Sequence, residues 1–312
     1  MKLVSLIIPA YCEEKVVEEC YKRIKSTMDS LLNYDYELIF VDDGSSDNTL
    51  SILKRIAAHD TKLKIISLAR NFGHQIAITA GLDRVTGDVV VVIDADLQDP
   101  PELIPVMLEN WEKGYKVVYA KRIAREGEGI LKRWTASLFY WLLNILTDIK
   151  IPKNTGDFRL MDRKVVLEMR KIKERNRFLR GLSSWVGFSQ ISVEYKRDQR
   201  YAGKTKYPLR KMVKFAFDGI FSFSQKPLKI ALNIGFFSIF IGILMIIYVF
   251  LGKIFFPDIT VPGWASLLIA IVFFGGVQLL TIGIIGEYIG RIYDETKNRP
   301  LYITEEEINF EE

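Results

Sequence analysis

The chain has 312 residues, 49% of them hydrophobic, and its 43 Lys and Arg against 38 Asp and Glu give a formal net charge of +5. That length holds one large domain and something more, and the excess charge gathers beside two apolar runs without any nucleic-acid motif, which argues against nucleic acid as a partner. Cys12 and Cys20 are not at CxxC spacing, a usage that reads as reduced cytosolic thiols and not as a disulfide framework.

The opening stretch MKLVSLIIPAYCEE has an apolar run too short for a secretory h-region, and Pro9 with the acids behind it breaks the pattern. The N-terminal part is therefore expected to stay in the cytosol. Apolar, β-rich runs at Leu3–Ile8, Glu37–Val41, Leu63–Leu68, Asp88–Ile93 and Lys116–Ala120 predict five strands. Between them, amphipathic stretches near Glu14–Leu32, Asp47–His59, Gln75–Val85 and Pro101–Lys113 predict helices. Strands joined by helical crossovers imply an α/β, doubly wound, mostly parallel sheet. Ligands of such sheets bind outside the carboxyl ends of the strands.

Two acidic clusters stand at that edge: VDDGSSDNT after Phe40 and IDADLQDPPE after Val92. Ser46 and Asp47 read as a turn and a helix N-cap. Asp42, Asp43, Asp94 and Asp96 instead converge on one crevice, where like charges repel unless a cation or donors hold them. A hard divalent cation, Mg²⁺ or Mn²⁺, suits them, because it takes oxygen ligands and shares its sphere with phosphate. Asp94, Asp96 and the amide oxygen of Gln98 would supply two or three such ligands. Pro100 and Pro101 then end the strand and start the next helix.

After Lys121 the rhythm loosens. Basic segments frame NTGDFRLMDR, and YKRDQRYAGKTKYPLRK leads on toward the apolar part. Over Leu209–Lys226, Arg210, Lys211, Lys214 and Asp218 share one arc of a helical wheel and Met212, Val213, Phe215 and Phe217 the other. Such a helix is expected to lie in a membrane interface. Ile230 to Gly252 and Ile259 to Gly286 contain no charged residue, and each exceeds the ~20 residues a membrane-crossing helix needs. Basic residues flank the pair on both outer sides, which places both termini in the cytosol by the positive-inside rule. The expected organisation is a catalytic domain over 1–208, an interfacial helix over 209–228, a two-helix transmembrane domain over 229–290 and a cytosolic tail over 291–312, at the inner or plasma membrane. Gly286 and Gly290 have small-xxx-small spacing, which points to a homo-oligomer. The acidic end TEEEINFEE is expected to be frayed and solvated.

A strand followed by PAYCEE, one followed by DDGSSDNT and one followed by DADLQDPPE, in that order, resemble the inverting glycosyltransferases of family 2. TGDFRLMDR, the later RYAGKTKY and two C-terminal spans narrow the likeness. They resemble the polyprenyl-phosphate glycosyltransferases: dolichyl-phosphate mannose synthase and, more closely, the bactoprenol glucosyltransferases with two membrane helices. The match covers essentially the whole chain. The QxxRW motif of processive polysaccharide synthases of the same fold is not found.

The resemblance implies a glycosyltransferase-A type fold and roles for particular positions. Pro9, Tyr11 and Glu13 would line the nucleoside site with Asp42. Asp94 would meet the ribose or the metal, and Asp96 and Gln98 would ligate Mg²⁺ or Mn²⁺ on the diphosphate. Arg200 and Lys204, with Tyr207 nearby, would neutralise the leaving diphosphate, and Gly203 would let the backbone approach it. Asp157 matches the family's acid-base position, accompanied by Arg159. Cys12 departs from the family, which more often has Asn there.

A phosphate monoester has a second pKa near ~6, so a lipid phosphate acceptor is already largely anionic at neutral pH. Orientation and charge stabilisation then outweigh base catalysis. Asp157 is expected to hold sugar hydroxyls or Arg159 and not to move a proton. Arg122, Arg125, Lys132 and Arg133 are candidate cations for the acceptor phosphate, Arg122 and Arg125 foremost. Arg70 could reach the nucleotide, and His59 and His74, which lack a metal-ligand constellation, read as structural. The expected function is transfer of glucose from UDP-glucose to undecaprenyl phosphate. GDP-mannose, an aminosugar donor or a diacylglycerol acceptor would keep the chemistry, whereas a membrane-anchored nucleotide-sugar-binding scaffold would have none.

Overall fold

The computed structural model describes residues 1–123, 152, 155–196, 224–255 and 263–310. In chain order the first compact unit runs β1 (Lys2–Ala10), α1 (Val17–Asp29), β2 (Tyr34–Asp42), α2 (Thr49–Ala57), β3 (Leu63–Leu68), α3 (His74–Arg84), β4 (Val89–Val92), α4 (Ile104–Glu112), β5 (Val117–Arg122), β6 (Thr155–Asp162), α5 (Arg163–Lys171), α6 (Leu179–Trp185) and β7 (Gln190–Tyr195). It closes with β8 (Thr304–Ile308). The alternation of strand and helix follows the expected one through β5, and each of the five expected strands forms.

The sheet has eight strands in the order β7-β5-β6-β4-β1-β2-β3-β8. Its centre, β4-β1-β2-β3, is parallel. Strands buried on both faces read as unbroken apolar runs, as VVVV of β4 and LIIPA of β1 do. One face packs Val4, Leu6 and Ile8 on α1 through Val17, Cys20, Ile24 and Met28, which recur at helical spacing, and on Leu53, Ile104, Met107 and Leu108 of α2 and α4. The other face meets α3, α5 and α6. The flanks depart from the parallel pattern: β6 lies antiparallel between β4 and β5, and β7 continues parallel to β5. Inserting β6 there carries its first residues to the edge where β4 ends.

The acidic end is not frayed. Residues from Arg299 return to the first unit, and β8 pairs antiparallel with β3. Glu306 meets Lys54 and Glu307 meets Arg84, so the acids face cations of α2 and α3. Asn309 closes the strand in the left-handed region at φ 62°, a region Asn tolerates well. Its Nδ2 donates to the carbonyls of Ala57 at 3.0 Å and Leu63 at 2.8 Å. Asn309→Ala is expected to cost about 1–2 kcal/mol, read as a lower thermal midpoint of the full chain in detergent.

The second unit is a pair of helices, α7 (Lys226–Phe255) and α8 (Trp264–Thr296). Both are long and apolar enough to cross a membrane by length and composition, with mean hydropathy 2.1 over Lys226–Met245 and 1.8 over Ala270–Thr296. Their apolar side chains, such as Phe236, Phe237 and Leu279, are exposed. α7 starts a turn before the first charge-free run, and α8 starts inside the second and continues past its end to Thr296; the Tyr288 hydroxyl donates to the Ser224 carbonyl at 2.8 Å. The expected interfacial helix and its basic arc fall almost wholly outside the described residues.

Candidate active site

The acids stand at and just beyond the carboxyl ends of β2 and β4 and do different work. Asp42, the last residue of β2, is buried; Oδ2 accepts from the Ser45 amide at 3.2 Å while Oδ1 is buried without a hydrogen bond. Burial raises its carboxyl above the ordinary range, and the nearby Asp47 and Glu305 add to this. Asp43 turns away and caps the loop into α3, accepting from the amides of Phe72 at 2.7 Å and Gly73 at 2.9 Å. Gly44 permits the crossing: φ is +66°, and a Cβ there would lie 2.4 Å from the Arg70 carbonyl carbon. Asp47 stands one residue before Asn48, the N-cap of α2, and serves the turn by accepting from the Thr49 amide at 3.0 Å.

Beyond β1, Pro9 is the second-last strand residue and Tyr11 is exposed. Cys12 follows at φ 52°, in the left-handed region that among non-glycine residues Asn tolerates well. Glu13 donates its amide to Thr49 Oγ1 at 2.8 Å and so anchors the loop to α2. The buried Cys20 thiol is pushed up by burial and by the charges of Asp96, Glu13 and Asp94.

Beyond β4 the chain leaves strand geometry at Ile93 and turns through Leu97 at φ 57°. Asp96 is buried, with Oδ1 accepting from the Gln98 amide at 3.1 Å, and Gln98 is half-buried. Asp94 Oδ1 is buried without a hydrogen bond and lies 3.4 Å from His74 Nε2. Burial lifts the Asp94 carboxyl to about 6; His74 opposes this, and the charges of Asp99, Asp157 and Asp96 add to it. A cation would relieve that crowding, and two carboxylates with an amide oxygen fit Mg²⁺ or Mn²⁺ completed by phosphate oxygens. Among the described residues no group of three or more His, Cys, Asp and Glu forms a pre-built metal cage.

Asp157 enters from β6. Val92 pairs with Arg159 at the end of β4, and His74 Nε2, 3.4 Å from Asp94 Oδ1 and 3.2 Å from Asp157 Oδ2, brings the two acids to one side chain. Arg180 at the start of α6 grips it with two parallel bonds, Nε to Oδ1 at 2.9 Å and Nη2 to Oδ2 at 3.0 Å. His74 Nε2 and Gln75 Nε2 reach Oδ2 at 3.2 and 3.3 Å. Burial alone would raise this carboxyl, but Arg180 and His74 hold it well below the usual carboxylate range. The His74 imidazole is disfavoured as a cation by burial, yet Asp94 and Asp157 raise it to about 9.

Arg159 does not partner the Asp157 carboxylate. It is buried behind the site beside Ile78, Leu82, Met161 and Met169, and bonds Ser183 Oγ and the Gly156 carbonyl, the latter at 3.0 Å. These bonds brace α6 against β6. His74 is no bystander either, standing between two carboxylates. The rule that located the acids also covers the loop after β3, so its position at the first residue of α3 was readable; the grip of Arg180 had no local sign. Arg70 is exposed and stacks over Phe72 at 4.2 Å.

Arg122 ends β5 beside Asp99, Nη2 to Oδ2 at 3.6 Å, and donates through Nε to the Tyr195 hydroxyl at 3.1 Å; that hydroxyl donates in turn to Asp99. Gly156 makes room for it, since a Cβ there would lie 2.6 Å from Arg122 Nη2. Arg125, Lys132, Arg133, Arg200, Gly203, Lys204 and Tyr207 lie outside the described residues.

The family model for glycosyl transferase family 2 matches residues 5–170, and the model for the GtrB C-terminal hairpin matches residues 226–292. A Bacillus subtilis (strain 168) protein named as the uncharacterized glycosyltransferase YkcC is 54% identical over 98% of this chain and 94% of its own length. The bactoprenol glucosyl transferase of Shigella phage SfX is 45% identical over 96% of this chain and 98% of its own. Glucosyl-3-phosphoglycerate synthase from Mycobacterium tuberculosis, solved with Mn²⁺, UDP-glucose and phosphoglyceric acid, aligns over 70% of this chain and 78% of that one at TM-score 0.46 and 20% identity, a loose likeness.

Proposed function

The chain belongs to glycosyl transferase family 2, and on that premise we propose that it transfers glucose from UDP-glucose to a membrane polyprenyl phosphate, with inversion at the anomeric carbon. One juxtaposition carries the reading: Asp94, two residues from Asp96 in the turn beyond β4, shares His74 with Asp157 of β6, on a chain that resembles a bactoprenol glucosyl transferase over nearly its full length.

Asp42, Tyr11 and Glu13 would hold the nucleoside. Asp94, Asp96 and Gln98 would hold Mg²⁺ or Mn²⁺ against the diphosphate, where the ion supplies charge neutralisation for the leaving UDP. An oxygen of the lipid phosphate forms the new bond to the anomeric carbon as the bond to UDP breaks on the opposite face. No proton has to be removed, because a phosphate monoester with a pKa near ~6 is already an anion at neutral pH. Asp157 suits that economy. A general base works best with a pKa near the operating pH, and this carboxylate is held far below it by Arg180 and His74. An alcohol acceptor would need what Asp157 does not offer.

Helices α7 and α8 would anchor the chain in the membrane that contains the acceptor, with the catalytic unit and both termini on the cytosolic side. Self-association through Gly286 and Gly290 belongs to the same reading.

The test uses the full chain in detergent, a short-chain polyprenyl phosphate and a panel of nucleotide sugars, with and without EDTA. Labelled lipid is expected from UDP-glucose alone, lost on chelation and restored by Mn²⁺ or Mg²⁺. Nucleotide binding without any lipid product would mark a scaffold and end the reading.

A further inference from the structure

We infer that Arg180 is the positioning residue of this site: with Gln75 and His74 it fixes the Asp157 carboxylate so that one open lone pair meets a hydroxyl of the donor hexose. The inference deepens the donor reading above and rests on it. A carboxylate has about four acceptor positions. Oδ2 of Asp157 is crowded by Arg180, His74 and Gln75, whereas Arg180 Nε is the only hydrogen-bond donor to Oδ1 among the described residues. Among the described residues the open position is therefore on Oδ1.

The grip is built to hold one orientation. A guanidinium fork on a carboxylate fixes its plane as well as its place. Gln75 serves both sides, donating to Asp157 while its Oε1 accepts from the Leu179 amide at 2.9 Å. The first residues of α3 and α6 are thus tied together, and Arg180 follows directly on Leu179. The Asp157 side chain is 6% exposed against 24% for Arg180 and 27% for His74. Without Arg180, Asp157 would also stand uncompensated near Asp94, one of its electrostatic neighbours.

Binding of UDP and of UDP-glucose to the full chain in detergent with Mn²⁺ tests this, using Arg180→Met, Arg180→Lys, Asp157→Asn and the Arg180→Met/Asp157→Asn pair. Arg180→Met is expected to weaken UDP-glucose about tenfold or more, the loss of a hydrogen bond to a charged group. UDP should stay within about twofold, the spread of independent sites. Arg180→Lys should recover part of the loss, and in the Asp157→Asn background Arg180→Met should add nothing. Should Arg180→Met not fold, Arg180→Lys and the neutral pair carry the same comparison. Equal losses for both ligands would put Arg180 on the diphosphate and overturn the inference. So would a full additional loss in the Asp157→Asn background, or an unchanged ratio. A wild type that makes no lipid-linked glucose defeats the donor reading itself; a wild type that turns over while its Arg180 variants keep the wild-type ratio defeats this inference alone.

Discussion

Asp96→Asn is expected to lower lipid-linked glucose formation by roughly 10²–10³-fold, the scale of removing one preorganised electrostatic contact to a developing charge. The carboxylate is buried in the turn that ends β4 and accepts the Gln98 amide through Oδ1. Asn keeps an oxygen for that bond and matches the shape, so the turn should persist. What it loses is the negative charge that a hard cation requires. The loss should therefore show as weaker UDP-glucose binding in Mn²⁺, with little change in binding measured in EDTA, and should lessen as Mn²⁺ is raised. Wild-type turnover in this variant would place the diphosphate away from β4 and remove the foundation of the proposed mechanism.

Much of this was legible in the chain because it was written locally. Strands β1 to β5 announce themselves as apolar, β-rich runs, and the polar ends of β2 and β4 fall where doubly wound sheets bind ligands. The structural role of Asp47, as against a ligand role, needed only the turn chemistry around it, although the cap position itself falls to Asn48. Strand β6 is different. Its Asp157, Arg159 and Asp162 are all buried, and each is tolerated because distant residues satisfy it: Arg180, Ser183, and the pair Trp111 and Lys116. A charged run gives no sign of such partners. The C-terminal acids mislead for the same reason, since Glu306 and Glu307 find Lys54 and Arg84 at separations of 252 and 223 residues. Where the site departs from expectation, in Arg180 replacing Arg159 and in the place of His74, the missing information is tertiary pairing.

The same logic, a buried charge held by distant donors, sets the stability of the opposite end of the sheet. Glu37 of β2 is 4% exposed. Oε1 accepts from Ser5 Oγ and from the Thr86 amide at 3.0 Å, and Oε2 from Lys64 Nζ at 2.7 Å. Removing one partner of such a buried pair costs about 3–5 kcal/mol, so Glu37→Ala is expected to lower the unfolding midpoint of the full chain substantially, and Glu37→Gln nearly as much because the Lys64 partner is lost. The pH dependence separates this from a packing defect. Burial pushes the Glu37 carboxyl up, but Lys64, Ser5 and Thr86 more than offset it and hold the folded value below the ordinary 4.5. The unfolded chain thus takes up the proton first as pH falls. The ionic contribution is fully present above about 4.5 and is lost as pH drops through the depressed folded value. Denaturant unfolding of wild type and Glu37→Gln should therefore show a gap that is constant from neutrality to about pH 5 and closes below it. A gap that stays open in acid would mean that the carboxylate's charge contributes nothing and that shape alone holds this end of the sheet.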